Sequence, residues 1–251
     1  MVDVELVLAV DVSLSMSPGE LEIQRDGYAR ALTDPRVIRA IEDGAYGRIA
    51  ITYIEWAGST VQRVIVPWTA VSNLAEAEAF AKALSANPPG SARRTSISAG
   101  LAFAAGLFDT SPYRGLKQVI DISGDGPNNQ GDPVDDVRDR VVKAGITING
   151  LPLMTSGGIT STFDVTDLDA YYANCVIGGP GAFMVPVNEW SQFPEAVRRK
   201  LVMELAGPAS PHFAAEEARH PPVVVASETA DQDCLIGEKM WMNRSWMWDP
   251  Q

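Results

Sequence analysis

Histidine is almost missing from this chain. Its 251 residues include two, His212 and His220, both in a proline-punctuated stretch near the C-terminus. No Ser-His-Asp arrangement can be built from them, and both read as loop residues. Gly-x-Gly-x-x-Gly and P-loop patterns are absent, which argues against a dinucleotide or nucleotide cofactor. Basic residues are outnumbered 20 to 32, for a formal net charge of −12. Such a surface repels phosphate backbones and excludes nucleic acid as a partner. No apolar run approaches the ~20 residues of a membrane span. Cysteine is scarce too: Cys175 and Cys234 cannot make a four-thiolate zinc site and lie too far apart for a redox Cys-x-x-Cys. They read either as one disulfide pinning the C-terminal tail in an oxidising compartment, or as two separate thiols. The first strand begins almost at Met1, so no leader is legible. That fits a cytosolic protein, or an exported one whose leader an initiator Met has replaced.

What is present is enough apolar material, 46% of the residues, for one large α/β domain with a modest appendage. Residues 4–10 read as a strand apolar on both faces, as in a covered parallel sheet. Pro18-Gly19-Glu20 opens a helix through about Thr33, and Arg36 to Ile41 forms a short one. Ile49 to Trp56 and Thr60 to Trp68 are β-rich runs joined by Ala57-Gly58-Ser59, a hairpin placing an antiparallel strand at a sheet edge. Asn73 to Leu84 is helical. Ser96 to Leu107 is a helix so apolar that it should be buried. Lys117 to Ser123 is a strand ending in Gly124-Asp125-Gly126, and Pro133 to Ala144 is a helix with its acids early and Lys143 late. Ile146 to Leu153, Asp167 to Ala173, Ala182 to Val187 and Trp190 to Leu205 continue as strand, helix, strand and helix. This alternation predicts a three-layer α/β fold: a doubly wound, mostly parallel, Rossmann-like sheet with one antiparallel edge strand. Residues 1–206 make that domain. From Gly207 the pattern fails, and residues 207–251, with Trp241, Trp246 and Trp248, read as an extension packing on it.

The first strand runs into Asp11-Val12-Ser13-Leu14-Ser15, a carboxylate and two hydroxyls at alternate positions. Arg94-Thr95-Ser96 stands just ahead of the apolar helix and can present the Thr95 hydroxyl. Asp125 follows the central strand, between glycines that let backbone pass close to a ligand. In open α/β sheets such strand ends share one rim. Two carboxylates and three hydroxyls are hard oxygen donors suited to a small divalent cation. Thr95 also suits a helix N-cap, and Ser96 beside it is an alternative donor.

In this order, Asp11-x-Ser13-x-Ser15, Thr95 and Asp125 resemble the metal-ion-dependent adhesion site of von Willebrand factor A domains, over roughly residues 3–206. Gln24-Arg25-x-Gly27-Tyr28-Ala29, the strand ending at Trp56 and Gly124-Asp125-Gly126-x-Asn128-Asn129 are similar to a bacterial group of such domains, DUF1194. The resemblance implies a binding module and no enzyme. Mg²⁺ (or Mn²⁺ or Ca²⁺) would be bound directly by Ser13 and Ser15, directly or through water by Thr95, and through water by Asp11 and Asp125. It further implies that a carboxylate from a partner protein takes the open coordination position, and a periplasmic or secreted location. An alternative is a phosphatase: the Gly124–Asn129 loop is similar to the metal loop of haloacid-dehalogenase-type enzymes, with Asp11 as nucleophile. That chemistry wants a carboxylic acid two residues on, where this chain has Ser13.

Overall fold

The computed structural model describes residues 1–86, 88–155, 167–206, 224–225 and 233–245. His212, His220, Trp246 and Trp248, along with most of the proline-punctuated stretch, lie outside the described residues.

One sheet runs through the molecule in the order β3-β2-β1-β4-β5-β6-β7. Its strands are β1 (Val2–Asp11), β2 (Ile49–Trp56), β3 (Gln62–Val71), β4 (Gly115–Gly124), β5 (Thr147–Pro152), β6 (Phe183–Met184) and β7 (Val224–Val225). The pairings β2-β1, β1-β4, β4-β5 and β5-β6 are parallel. The edge strand β3 is antiparallel to β2, as the hairpin signal predicts. A two-residue antiparallel strand, β7, closes the opposite edge, in a stretch that the sequence analysis leaves without elements.

All ten residues of β1 are buried because both faces are covered. Val4, Leu6, Leu8 and Val10 join one apolar layer with α1 (Pro18–Leu32), α2 (Pro35–Glu42), α3 (Leu74–Leu84) and α7 (Phe193–Ala206). Val7 and Ala9 join the other, with α4 (Ile97–Asp109), α5 (Val134–Lys143) and the segment after α6 (Leu168–Tyr171). That alternation is the pleat expressed as packing. The chain leaves β1 toward β2 on one side and returns as β4 on the other. The strand order therefore reverses at β1/β4, which opens a crevice beyond their carboxyl ends. Asp11 closes β1 and Gly124 closes β4, so both candidate carboxylate segments leave the sheet there.

Three expectations shift. Helix α4 buries Ile97, Ser98, Gly100, Leu101, Ala104 and Phe108, whereas Ala102 and Gly106 are exposed: it is covered on one face only. The last strand shrinks to Phe183–Met184, because β6 meets β5 only at Met184 opposite Gly150. The C-terminal stretch, read without elements, contains an α-helix, α8 (Ile236–Ser245).

Candidate metal centre at the carboxyl ends of β1 and β4

Asp11 is wholly buried, and its Oδ1 accepts the backbone N–H of Ser13 at 2.7 Å, a turn that sends the chain back over the strand end. The Oγ atoms of Ser13 and Ser15 then lie 2.8 Å apart, and Ser15 donates from Oγ to Asp125 Oδ1 at 2.7 Å. A hydrogen-bonded line thus runs from Asp11 through both serines to Asp125, its last link spanning 110 residues of sequence. The loop leaves this line into α1, whose N-cap Ser17 forms a capping box with Glu20. Trp190 Nε1 donates to the other oxygen of Glu20 at 2.9 Å, pinning the helix start.

Thr95 reaches the same place by a different route. Leu14 N–H donates to Ala92 O, and Ala92 N–H donates to Val12 O, so residues 12–14 and 92 run side by side. Thr95 N–H donates to Asn129 Oδ1 at 3.0 Å, and Asn129 N–H donates to Thr95 O at 2.9 Å. The cap of α4 is Ser96, whose Oγ accepts from Ala99 N–H; Thr95 stands one residue ahead and takes no part in capping. The structure thereby brings all three segments together, and of the adjacent hydroxyls it is that of Ser96 that the helix occupies.

The electrostatics favour a cation. Burial first, and then the charge of Asp125, push the Asp11 carboxyl well above the usual carboxylate range; the Ser13 N–H offsets part of this. Its Oδ2 is buried with no hydrogen-bond partner among the described residues, as are the Tyr172 hydroxyl and Trp56 Nε1. Burial and the two carboxylates likewise raise the Tyr172 hydroxyl. A Cβ added at Gly124 would stand 2.8 Å from the Tyr172 hydroxyl, 3.1 Å from Asp11 Oδ2 and 3.3 Å from the Trp56 ring, so these groups crowd one another. An orphaned carboxylate oxygen beside a second carboxylate and two hydroxyls is a donor set that a hard divalent cation fits. Among the described residues no group of three or more His, Cys, Asp or Glu is placed to hold a metal, so a site here depends on its hydroxyls.

Some supporting residues carry no role in the sequence reading. Gln24 donates to Asp11 O at 2.9 Å and so fixes the end of β1. Asn128 is fully buried: its Oδ1 accepts Ser98 N–H at 3.1 Å, and its Nδ2 donates to Asp132 O and to Glu238 Oε1. The strings Gln24-Arg25 and Asn128-Asn129 were the legible signal; their partners were not. Cys175 and Cys234 are joined in a disulfide.

A family model described as "Protein of unknown function (DUF1194)" matches residues 1–209. No curated protein matches the chain. Among solved structures, the pilus adhesin SpaC of Lactobacillus rhamnosus GG is similar at 13% identity and TM-score 0.58, over 82% of this chain and 31% of that one. A von Willebrand factor type A protein of Catenulispora acidiphila gives 15% and 0.55, over 81% and 43%. Proximal thread matrix protein 1 of the mussel byssus, in a form described as having a zinc-occupied MIDAS motif, gives 17% and 0.55, over 82% and 48%. The chain thus spans between about a third and a half of these proteins, and the likeness is one of fold: the von Willebrand factor A fold.

Proposed function

Because this chain belongs to the DUF1194 family and has a von Willebrand factor A fold, we propose that it is a divalent-cation-dependent binding module and not an enzyme. Ser13, Ser15 and Thr95 would hold Mg²⁺ (or Mn²⁺ or Ca²⁺) by their hydroxyls, with Asp11 and Asp125 holding its waters. Neutral hydroxyl ligands leave the cation electrophilic, and it would supply an attachment point for a carboxylate on a partner protein. The observation that carries this reading is the line Asp11–Ser13–Ser15–Asp125, which joins the loop after β1 to the loop after β4. The adhesin and byssus proteins that share the fold are in keeping with it. Residues 1–206 would be the binding domain, and residues 207–251 an extension packed on it. The disulfide favours an oxidising compartment, periplasmic or extracellular, since such bonds are rare in reducing cytosol. No helix among the described residues is long and apolar enough to cross a membrane.

Calorimetric titration with Mg²⁺ tests the reading. Wild type is expected to show saturable binding, and Asp125→Ala to lose it. Absence of saturable binding of Mg²⁺, Mn²⁺ and Ca²⁺ to wild type, or identical isotherms for the variant, would overturn it. The phosphatase alternative gains nothing from the geometry, since the position of its required acid is Ser13, whose hydroxyl pairs with Ser15.

A further inference from the structure

Helix α8 lies against both loops that carry Thr95 and Asp125. Its start is tethered by the Cys175–Cys234 disulfide. The Tyr171 hydroxyl donates to Cys234 O at 3.3 Å and accepts Asn128 N–H at 3.1 Å, linking the tether to the Asp125 loop. One turn on, Glu238 Oε1 accepts from Asn128 Nδ2 at 2.6 Å. Gly237 sits so close that a Cβ there would collide with the Asn128 carbonyl oxygen, so the helix backbone itself rests on the loop. At the other loop the Arg94 guanidinium lies 3.3 Å from the centre of the Trp241 ring. Arg94 has φ +75°, an unusual conformation for a side-chain-bearing residue, and it immediately precedes Thr95. The two loops are themselves joined by the Thr95–Asn129 pair. Among the residues of α8 whose burial is described only Gly237 is buried, and Ile236 packs against the apolar layer, so the helix depends on these specific contacts.

We propose that α8 is a disulfide-tethered brace of the cation site, with Gly237, Glu238 and Trp241 as positioning residues that set the placement of Thr95 against Asp125. The proposal rests on the metal-site reading for its function, but the brace itself can be measured without metal. In the full-length protein, Glu238→Ala and Trp241→Ala should each weaken Mg²⁺ binding about tenfold, as loss of groups supporting metal ligands does. Glu238→Gln keeps an acceptor for Asn128 and Trp241→Phe keeps a ring for Arg94, so both should stay within about twofold of wild type. A purely structural role would not separate these pairs. Hydrogen exchange without metal should rise at residues 94–98 and 125–131 in both Ala variants, and in Cys175→Ala/Cys234→Ala. Loops that exchange as in wild type in all three variants overturn the brace, whatever the metal result. Mg²⁺ affinity unchanged in the Ala variants, with wild type binding, overturns it equally. Should wild type bind no cation while exchange rises as expected, the metal reading falls and the brace stands as the device that orders these loops.

Discussion

Lys200 offers the sharpest test of how this core is held. It lies on α7 with no exposed surface, its Nζ 2.6 Å from Asp121 Oδ1 and 2.5 Å from Glu204 Oε1. Asn149 donates to the same Glu204 oxygen at 2.9 Å. One ammonium thus faces two carboxylates inside the apolar layer. Burial, opposed by Lys200 and reinforced by Glu204, pushes the Asp121 carboxyl up to about 7. A folded-state value above the unfolded one means that the folded protein holds the extra proton. The stabilisation is therefore full below about pH 4 and is lost as pH rises through about 7. At roughly 1.4 kcal/mol per pH unit, that window is worth at most about 4 kcal/mol. Asp121→Asn removes the excess negative charge: it should flatten the dependence of stability between pH 5 and 8, and leave stability at pH 8 equal or higher. Lys200→Met strands two buried carboxylates without a cation and should cost about 3–5 kcal/mol, a large part of a typical folding free energy of ~5–15 kcal/mol. Urea unfolding at pH 5.5 and 8, with the disulfide intact, gives both numbers. A loss below about 1 kcal/mol for Lys200→Met, or equal damage from Asp121→Asn at pH 8, would refute the reasoning.

Gly124→Val should displace Asp11 and abolish Mg²⁺ binding, since its Cβ would stand 3.1 Å from Asp11 Oδ2; Gly126→Ala, with open space at its Cβ, should bind as wild type in the same calorimeter. Gly27→Ala, whose Cβ would stand 2.5 Å from the Phe193 ring, should cost about 1–3 kcal/mol by overpacking, read from thermal melting. Thiol titration of the unfolded, unreduced protein should find no free thiol, and two would exclude the Cys175–Cys234 bond.

Much of the architecture is legible because burial writes itself into local pattern. The run Glu5 to Val10 is apolar at nearly every position, and both of its faces are covered. Ala57-Gly58-Ser59 marks the hairpin, Asn73 marks a helix start that it does cap, and Pro18-Gly19-Glu20 marks another. The rest fails for identifiable reasons. Thr95 and Ser96 are both competent caps, and the choice falls to Ser96 through a contact far away in sequence, the Thr95–Asn129 pair. Helix α8 has no amphipathic stripe and carries a glycine at its second position, so its cues are tertiary: a disulfide, Asn128 and Arg94. Asp121, Lys200 and Glu204 carry no role in the sequence analysis, because composition shows neither their burial nor their mutual contact.

The charge of the whole molecule bears on how an acidic partner would be engaged. A net charge of −12 opposes a carboxylate at long range, yet ionic screening confines that repulsion to about 8–10 Å at physiological salt. Inside that range the site decides. Asp11 and Asp125 can bring up to two negative charges, and burial together with the charge of Asp125 opposes ionisation of Asp11, so without a cation these carboxyls offer a further anionic oxygen no attraction. A divalent ion cancels those two charges, and the serine and threonine ligands add none. The site becomes roughly neutral, with the cation a strong attractor at its centre for a further anionic oxygen. None of the five candidate ligands would itself attract such a partner until the cation is in place. Cation first and carboxylate second is therefore the order that the electrostatics of these two aspartates require of the proposed function.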